Sequence, residues 1–333
     1  MRTTSVMIQN LCVPCACRCR YCLLSWDGHP AGISWEDSTA FAERFLAEAR
    51  QSRPETDFSF TFGYAMEHPD LVNALRFLRK TGSPQADYLQ CDGMKQRSRQ
   101  ECEELAAILK DEGVLALNFT FYGLPEYHDR FAARQGDSEL MVRMARAAVQ
   151  AGLSVSAGIP ITKENIRQAD ELTAFLKTSG IDKIRLFIPH EEGRGIALAS
   201  CRLEKQDLAL LSMENRRLLN GKVYRTESEW LQEKDAVRET RRMIIISLRP
   251  DTLERYEKMS AEEIISEIEG LDEAYYAAFP SFSELARQYG SPDSTKLYRY
   301  RDLYAAYRRQ YAREHSLSLY DVTDERQSGS RRS

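Results

Sequence analysis

Several things are missing from this 333-residue chain. No apolar run is long enough to span a bilayer, and residues 1–11 lack the extended apolar core of a secretory signal, so a cytoplasmic setting without membrane contact is the expectation. Neither sign of charge dominates: 46 Lys and Arg stand against 50 Asp and Glu, and a net charge of −4 gives no reason to expect non-specific nucleic-acid or membrane binding. Cysteine is absent after position 201, which leaves the C-terminal third without a thiolate metal site. What remains is the composition of an ordinary globule, 43% hydrophobic and 29% charged. The length suits one large domain, or a domain of about 200 residues with an appendage.

Against that background the distribution of cysteine is lopsided. Cys12, Cys15, Cys17, Cys19 and Cys22 fall within eleven residues, and only Cys91, Cys102 and Cys201 lie elsewhere. Thiols so close in sequence have no packing rationale and read as ligands for a soft metal. Cys15, Cys19 and Cys22 are the one subset with the spacing C-x3-C-x2-C. Three thiolates on a loop can hold three irons of a [4Fe–4S] cube and leave the fourth open, since a full set has four. Zinc remains a rival, because Cys12/Cys15 and Cys19/Cys22 form two C-x2-C knuckles, although only three residues separate them. A redox pair needs no third thiol, and a disulfide framework does not suit a long chain of this kind.

Hydrophobic periodicity predicts alternating strands and helices. Strands are expected at Ser5–Asn10, Asp57–Phe62, Ala86–Cys91, Val114–Phe121, Leu153–Ala157 and Lys183–Ile188. Between them helices are expected from Ser34 to Arg50, from Pro69 to Gly82, and over Arg99–Glu112, Ser138–Ala151 and Lys163–Ser179, with glycine closing most units. About six strand–helix units in about 190 residues imply a parallel sheet with right-handed crossovers. Sites in such α/β barrels lie at the carboxyl ends of the strands, and the cysteine loop follows the first strand.

This chain resembles the radical S-adenosylmethionine (radical SAM) enzymes over most of residues 5–200. The resemblance implies a partial (β/α)6 TIM-like barrel spanning 1–200, with Cys15, Cys19 and Cys22 on a [4Fe–4S] cluster whose open iron is chelated by SAM. It also implies reductive cleavage of SAM to a 5′-deoxyadenosyl radical, oxygen sensitivity, and an electron donor such as flavodoxin or ferredoxin. Tyr21, just before the last cysteine, would shield the cluster. The family's Gly-Gly-Glu-Pro-like motif corresponds to Gly63-Tyr64-Ala65-Met66-Glu67, where Tyr64 replaces the acid, leaving the SAM amine to carbonyls around Gly63 or to Glu67. Thr120 and Tyr122 fall at polar positions after the fourth strand, and Arg134 matches an arginine that meets the SAM carboxylate. Ile159 would pack on adenine, Asn165 would support the site, and Phe187 ends the sixth strand beside adenine. Tyr64, Tyr122 and Cys91 are candidates to quench a product radical. The missing late cysteines argue against a C-terminal auxiliary-cluster domain.

Residues 201–323 are expected to form a mainly helical extension that governs substrate choice, small molecule or peptide, with a possible added strand at 242–248 and a disordered tail over 324–333. A long helix is expected from Ser294 to His315, rich in tyrosine and arginine. Such residues could stack on nucleic acid, but Leu297, Tyr300, Tyr304, Tyr307 and Tyr311 recur at steps of three and four, the pattern of a packed face. Peptide docking on these helices and a non-catalytic zinc or iron–sulfur module are the alternatives to the small-molecule reading.

Overall fold

The computed structural model describes residues 3–10, 15–22, 32–63, 65–181, 183–219, 224–231, 242–290 and 294–321. The first part alternates as its periodicity requires: β1 (Thr3–Asn10), α1 (Trp35–Ser52), β2 (Asp57–Phe62), α2 (Leu71–Lys80), β3 (Tyr88–Gln90) and α3 (Arg99–Asp111). It continues with β4 (Ala116–Thr120), α4 (Pro125–Ala132), α5 (Asp137–Gln150), β5 (Ser154–Pro160), α6 (Ala169–Thr178) and β6 (Lys183–Phe187). Side-chain caps start several helices. The Ser34 hydroxyl accepts the Asp37 amide at 3.0 Å, and Ser98 and Glu101 form a reciprocal capping box.

All strand pairs are parallel, in the orders β2-β1-β7 and β3-β4-β5-β6, where β7 is Arg242–Leu248. The added strand expected near 242–248 therefore exists, and it lies beside β1. β2 and β3 share no backbone ladder. Their seam is bridged by Gln85, in the 3₁₀ turn Pro84–Ala86, whose carboxamide accepts the Phe62 amide at 2.9 Å and donates to the Phe62 carbonyl at 2.7 Å. One side chain thus satisfies the backbone groups that a neighbouring strand would otherwise satisfy. Among the described residues the seven strands form an open parallel barrel, with β6 and β7 outermost.

Alternation splits each strand into two faces. Val6, Ile8, Phe58, Phe60, Leu117, Phe119, Val155, Ala157, Ile184, Leu186, Ile244 and Ile246 face the helices and form one buried core. The intervening residues face the barrel interior and are mostly polar. Among the described residues no helix is long and apolar enough to cross a membrane.

The C-terminal part is mainly helical: α7 (Met213–Leu218), α8 (Glu227–Leu231), α9 (Pro250–Tyr256), α10 (Ala261–Ala277), α11 (Phe282–Tyr289) and α12 (Tyr300–Glu314). The expected long helix begins later than Ser294. Lys296 and Tyr298 instead make antiparallel bridges to Glu204 and Arg225, and the Arg299 amide donates to Asp302 to start α12. Tyr307 and Tyr311 pack on Tyr275 and Phe279, so these members of the tyrosine stripe serve packing. The expected tail at 324–333 lies outside the described residues.

Arg202 ties this extension to the barrel. Its guanidinium is buried, donates to the Leu297 carbonyl at 2.6 Å and the Pro189 carbonyl at 3.0 Å, pairs with Asp302, and stacks over Tyr298 at 4.4 Å. Burial alone would raise the Asp302 pKa, but Arg202 and His190 hold it well below the usual carboxylate range. Removing one partner of a buried pair leaves an uncompensated charge, so Arg202→Ala should lower unfolding free energy by about 3–5 kcal/mol in denaturant titrations. Because Asp302 is depressed when folded, its contribution is full above the unfolded value of about 3.9 and is lost as pH falls below it. Asp302→Asn should therefore flatten the acid limb of the stability profile; an unchanged limb would show that other carboxylates control acid unfolding.

Candidate active site at the barrel mouth

β1 runs into the cysteine loop, and residues 15–22 of that loop are fastened by backbone hydrogen bonds to three neighbours. The Ala16 amide donates to Gly93 after β3 at 2.9 Å, and the Arg18 and Arg20 amides donate to Ala132 and Phe131 of α4 at 2.9 and 3.1 Å. The Arg194 amide, beyond β6, donates to the Cys22 carbonyl at 3.1 Å. Arginine side chains stiffen the turn: Arg18 donates to the Cys15 and Cys17 carbonyls, and Arg20 pairs with Glu164 at 2.6 Å. The loop therefore lies across the carboxyl ends of β3, β4 and β6.

Gly93 is required where it stands. Its φ is +69°, and a Cβ there would lie 2.1 Å from the Cys15 sulfur. The Cys15 thiol hydrogen-bonds that of Cys17, and Cys17 also meets Cys19. The hydrogen bond with Cys17, together with burial, pushes the Cys15 thiol up. At Cys17 the bond with Cys15 favours the thiolate, but Cys19 and burial outweigh it and the thiol is also raised. Cys19 is buried and its sulfur accepts a hydrogen bond from the Tyr122 hydroxyl at 3.0 Å. Cys22 is half-buried, and its amide donates to the Cys19 carbonyl. Among the described residues no three Cys, His, Asp or Glu are gathered as a single bound ion would need. Cys12 lies outside the described residues.

An aromatic wall backs these thiols. The Tyr21 ring lies 5.6 Å from Tyr122, 6.0 Å from Phe131 and 6.2 Å from Phe187, and Tyr122 stacks on Phe131 at 4.7 Å. Tyr21 is raised by burial and by the nearby Asp92 and Cys19, which keeps its hydroxyl protonated. Tyr122 is fixed at three points. Its hydroxyl reaches Cys19, its amide donates to His128 Nδ1 at 3.1 Å, and its carbonyl accepts Asn165 Nδ2 at 2.7 Å. Because His128 Nδ1 is an acceptor, Nε2 carries the proton and donates to Asp137 at 3.0 Å. Asn165 also donates to the Pro160 carbonyl and accepts the Thr162 amide, so it clasps the ends of β4 and β5.

The polar residues differ in how free they are. Thr120 donates its amide and hydroxyl to Asp92 at 2.6 and 2.8 Å. Burial pushes the Asp92 carboxyl up to about 6 against those bonds. Sequence reasoning passed over Asp92, because Asp-Gly after a strand reads first as a turn. Glu67 is committed to Arg97 at 2.6 Å and to the Lys95 amide at 3.0 Å. Arg134 is likewise committed, to Asp137 at 3.1 Å and to the Met94 carbonyl. Its guanidinium positions the loop after β3, and Asp137 is the partner that sequence alone does not reveal. Cys91 and Ile159 are fully buried in the helix-facing core, because alternation turns them away from Gln90 and Gly158. Neither the radical-quenching role expected for Cys91 nor the adenine contact expected for Ile159 fits those positions. Gly63 closes β2, and Tyr64 lies outside the described residues. The structure thus brings together Cys15, Cys19, Tyr21, Cys22, Thr120, Tyr122 and Phe187, with Asn165 behind them.

Comparison with known proteins follows the same lines. No curated protein sequence matches the chain. Among solved structures, SuiB of Streptococcus suis bound to S-adenosylmethionine is similar at 14% identity and a TM-score of 0.46, over 74% of this chain and 51% of that one. Coproporphyrinogen III oxidase (HemN) from Escherichia coli, described as a radical SAM enzyme, is similar at 12% identity and 0.44, over 74% and 63%. The anSMEcpe structure with bound AdoMet and Cp18Cys peptide stands at 16% and 0.43, over 63% and 57%. The chain spans about half the length of SuiB. The family model of the Radical SAM superfamily matches residues 10–176, half of the chain. The chain belongs to the radical SAM superfamily of enzymes.

Proposed function

We propose that Cys15, Cys19 and Cys22 hold a [4Fe–4S] cluster at the barrel mouth and that the protein uses it with SAM to begin hydrogen abstraction from a substrate in the barrel. The reading is carried by a half-buried, backbone-fastened thiol loop at the carboxyl ends of parallel strands, with Tyr122 donating to Cys19. The donor set fits the group. Thiols crowded enough to raise one another give up their protons readily only to bound cationic charge, and a four-iron cube spreads its ligands farther apart than a single zinc ion. When bound, the cluster and SAM supply one-electron cleavage to methionine and a 5′-deoxyadenosyl radical.

This chain's residues have separable roles in that reading. The Tyr122 hydroxyl, which donates to the Cys19 sulfur, would stabilise negative charge there and so raise the reduction potential of a cluster held by it. Tyr21, Phe131 and Phe187 exclude water beside it, and Phe187 offers a ring for adenine. Carbonyls around Gly63 are the candidates for the SAM amine, since Glu67 is already paired with Arg97, and the SAM carboxylate would have to compete with Asp137 for Arg134. Thr120, braced by Asp92, presents a polar group to the same space. Asn165 holds Tyr122 in place. A peptide substrate is the second reading, favoured by the parallel order that leaves β6 outermost among the described residues, where an extended segment could add. Pull-down with candidate peptides tests it.

Anaerobic reconstitution should load about four iron and four sulfide per chain, as a cubane requires. Cys19→Ala and Cys22→Ala should then lose 5′-deoxyadenosine release under dithionite, while Cys17→Ser keeps both cluster and release. The reverse pattern, with Cys17 needed and Cys22 dispensable, would overturn the ligand assignment. Gly93→Ala should destabilise the apo-protein by about 1–3 kcal/mol in thermal or denaturant unfolding and lower iron content, since strain at positive φ adds to the clash with Cys15. Tyr122→Phe should retain the cluster at a more negative potential, read by anaerobic redox titration.

A further inference from the structure

The interior face of the β3–β6 sheet is not packed as a core. Register puts Gln90, Asn118, Ser156 and Lys183 in one row across the four strands, and Thr120, Gly158 and Arg185 in the next row toward the site. Hydrogen bonds run along the first row and beneath it. Asn118 donates to Gln90 at 2.6 Å, Ser156 donates to Asn118 at 2.9 Å, and Lys183 donates to Ser154 at 2.9 Å. Gln90, Lys183 and Arg185 are exposed to solvent, while their strand neighbours Leu89, Ile184 and Leu186 are buried on the helix side. A polar, wet face inside a barrel marks space for a ligand, because a packed interior would be apolar.

Arg185 is the unusual member. Its guanidinium lies over the Phe187 ring at 5.6 Å, and among the described residues it has neither an ion pair nor a hydrogen bond. Its in-register neighbour is Gly158, which adds no side chain in front of it. Lys183, two residues earlier on the same face, stands about 7 Å away backbone to backbone, its ammonium donating to Ser154. Among the described residues of these four strands and their carboxyl-end turns, the acid beside these rows is Asp92, which is across the sheet and already accepts from Thr120 and Gln90. An arginine held by a ring stack alone keeps its planar donor fork available for a bidentate acceptor.

We propose that Arg185, with Lys183, forms an anion-recognition site inside the barrel that selects a substrate bearing a carboxylate or phosphate, its polar remainder meeting Gln90, Asn118 and Ser156. This rests on the reading of the barrel as the reaction chamber. Arg185 lies against Phe187 and Lys183 one row farther from the rim, so the anionic end is fixed away from the cluster and the opposite end is presented to it.

The test is arginine-selective labelling of the full-length reconstituted protein with phenylglyoxal, with Arg185 modification followed by peptide mass mapping. Glutarate or inorganic phosphate at about ten times its dissociation constant should slow modification of Arg185 on the order of tenfold, whereas neutral glutaramide should not. Protection by glutarate alone identifies a carboxylate, by phosphate alone a phosphate, and by both a general anion site. No protection by either anion, or equal protection by glutaramide, overturns the proposal. Lys183→Gln should weaken protection several-fold, and unchanged protection would overturn the two-residue site. The labelling does not depend on turnover. Protection in a protein that fails to release 5′-deoxyadenosine would leave the anion site standing and overturn the radical reading alone.

Discussion

Everything at the site depends on the parallel pairing of the strands, with β1 between β2 and β7. Parallel pairing sends every carboxyl end to one rim, and neighbours on both edges of β1 fix the direction in which the chain leaves it. The cysteine loop therefore starts from a rigid point and meets the ends of β3, β4 and β6 within eight residues, at Gly93, Tyr122 and Arg194. No single contact of the loop is strong. Its position follows from having anchors on three sides.

Alternation, the second consequence of strand geometry, decides which residues can take part. It sends Thr120 and Phe187 inward with Arg185 and Asn118, and it sends Cys91 and Ile159 into the helix-covered core. A residue can sit at the end of the right strand and still be one step out of phase. Motif matching along the sequence identifies the strand end but is blind to that phase, which explains why resemblance-based roles divide cleanly between the two faces.

The sequence was legible where local physics decides. Most strand and helix boundaries followed period, caps and glycine, as at β2 and β7, but α6 starts at Ala169 instead of Lys163 and β3 is confined to Tyr88–Gln90 within the expected Ala86–Cys91. α4 was not read as a helix, because Leu124 supplies no capping side chain and the helix stops at Ala133 with φ +53° instead of at a glycine. The start of α12 was misjudged for a tertiary reason: Lys296 and Tyr298 pair with distant backbone before the helix can begin. Partners of charged residues were the least legible. Nothing local announces that Arg134 meets Asp137 and Met94, that Glu67 meets Arg97, or that the Asp92 carboxylate is braced by Thr120. Such pairings depend on which strand ends meet at the rim, and that is fixed only once the barrel forms.

The energetics of the loop connect these points to chemistry. Four backbone hydrogen bonds, to Gly93, Ala132, Phe131 and Arg194, contribute about 1 kcal/mol each to ordering the loop over residues 15–22. A group bonded to three of its side chains couples binding to order, since ligand bonds form only when the thiols are held together. Cys17 is buried in the same cluster as Cys19, with Cys15 packed against it. A thiol at that position fills the space between Cys15 and Cys19, and Cys22 lies at the half-buried rim.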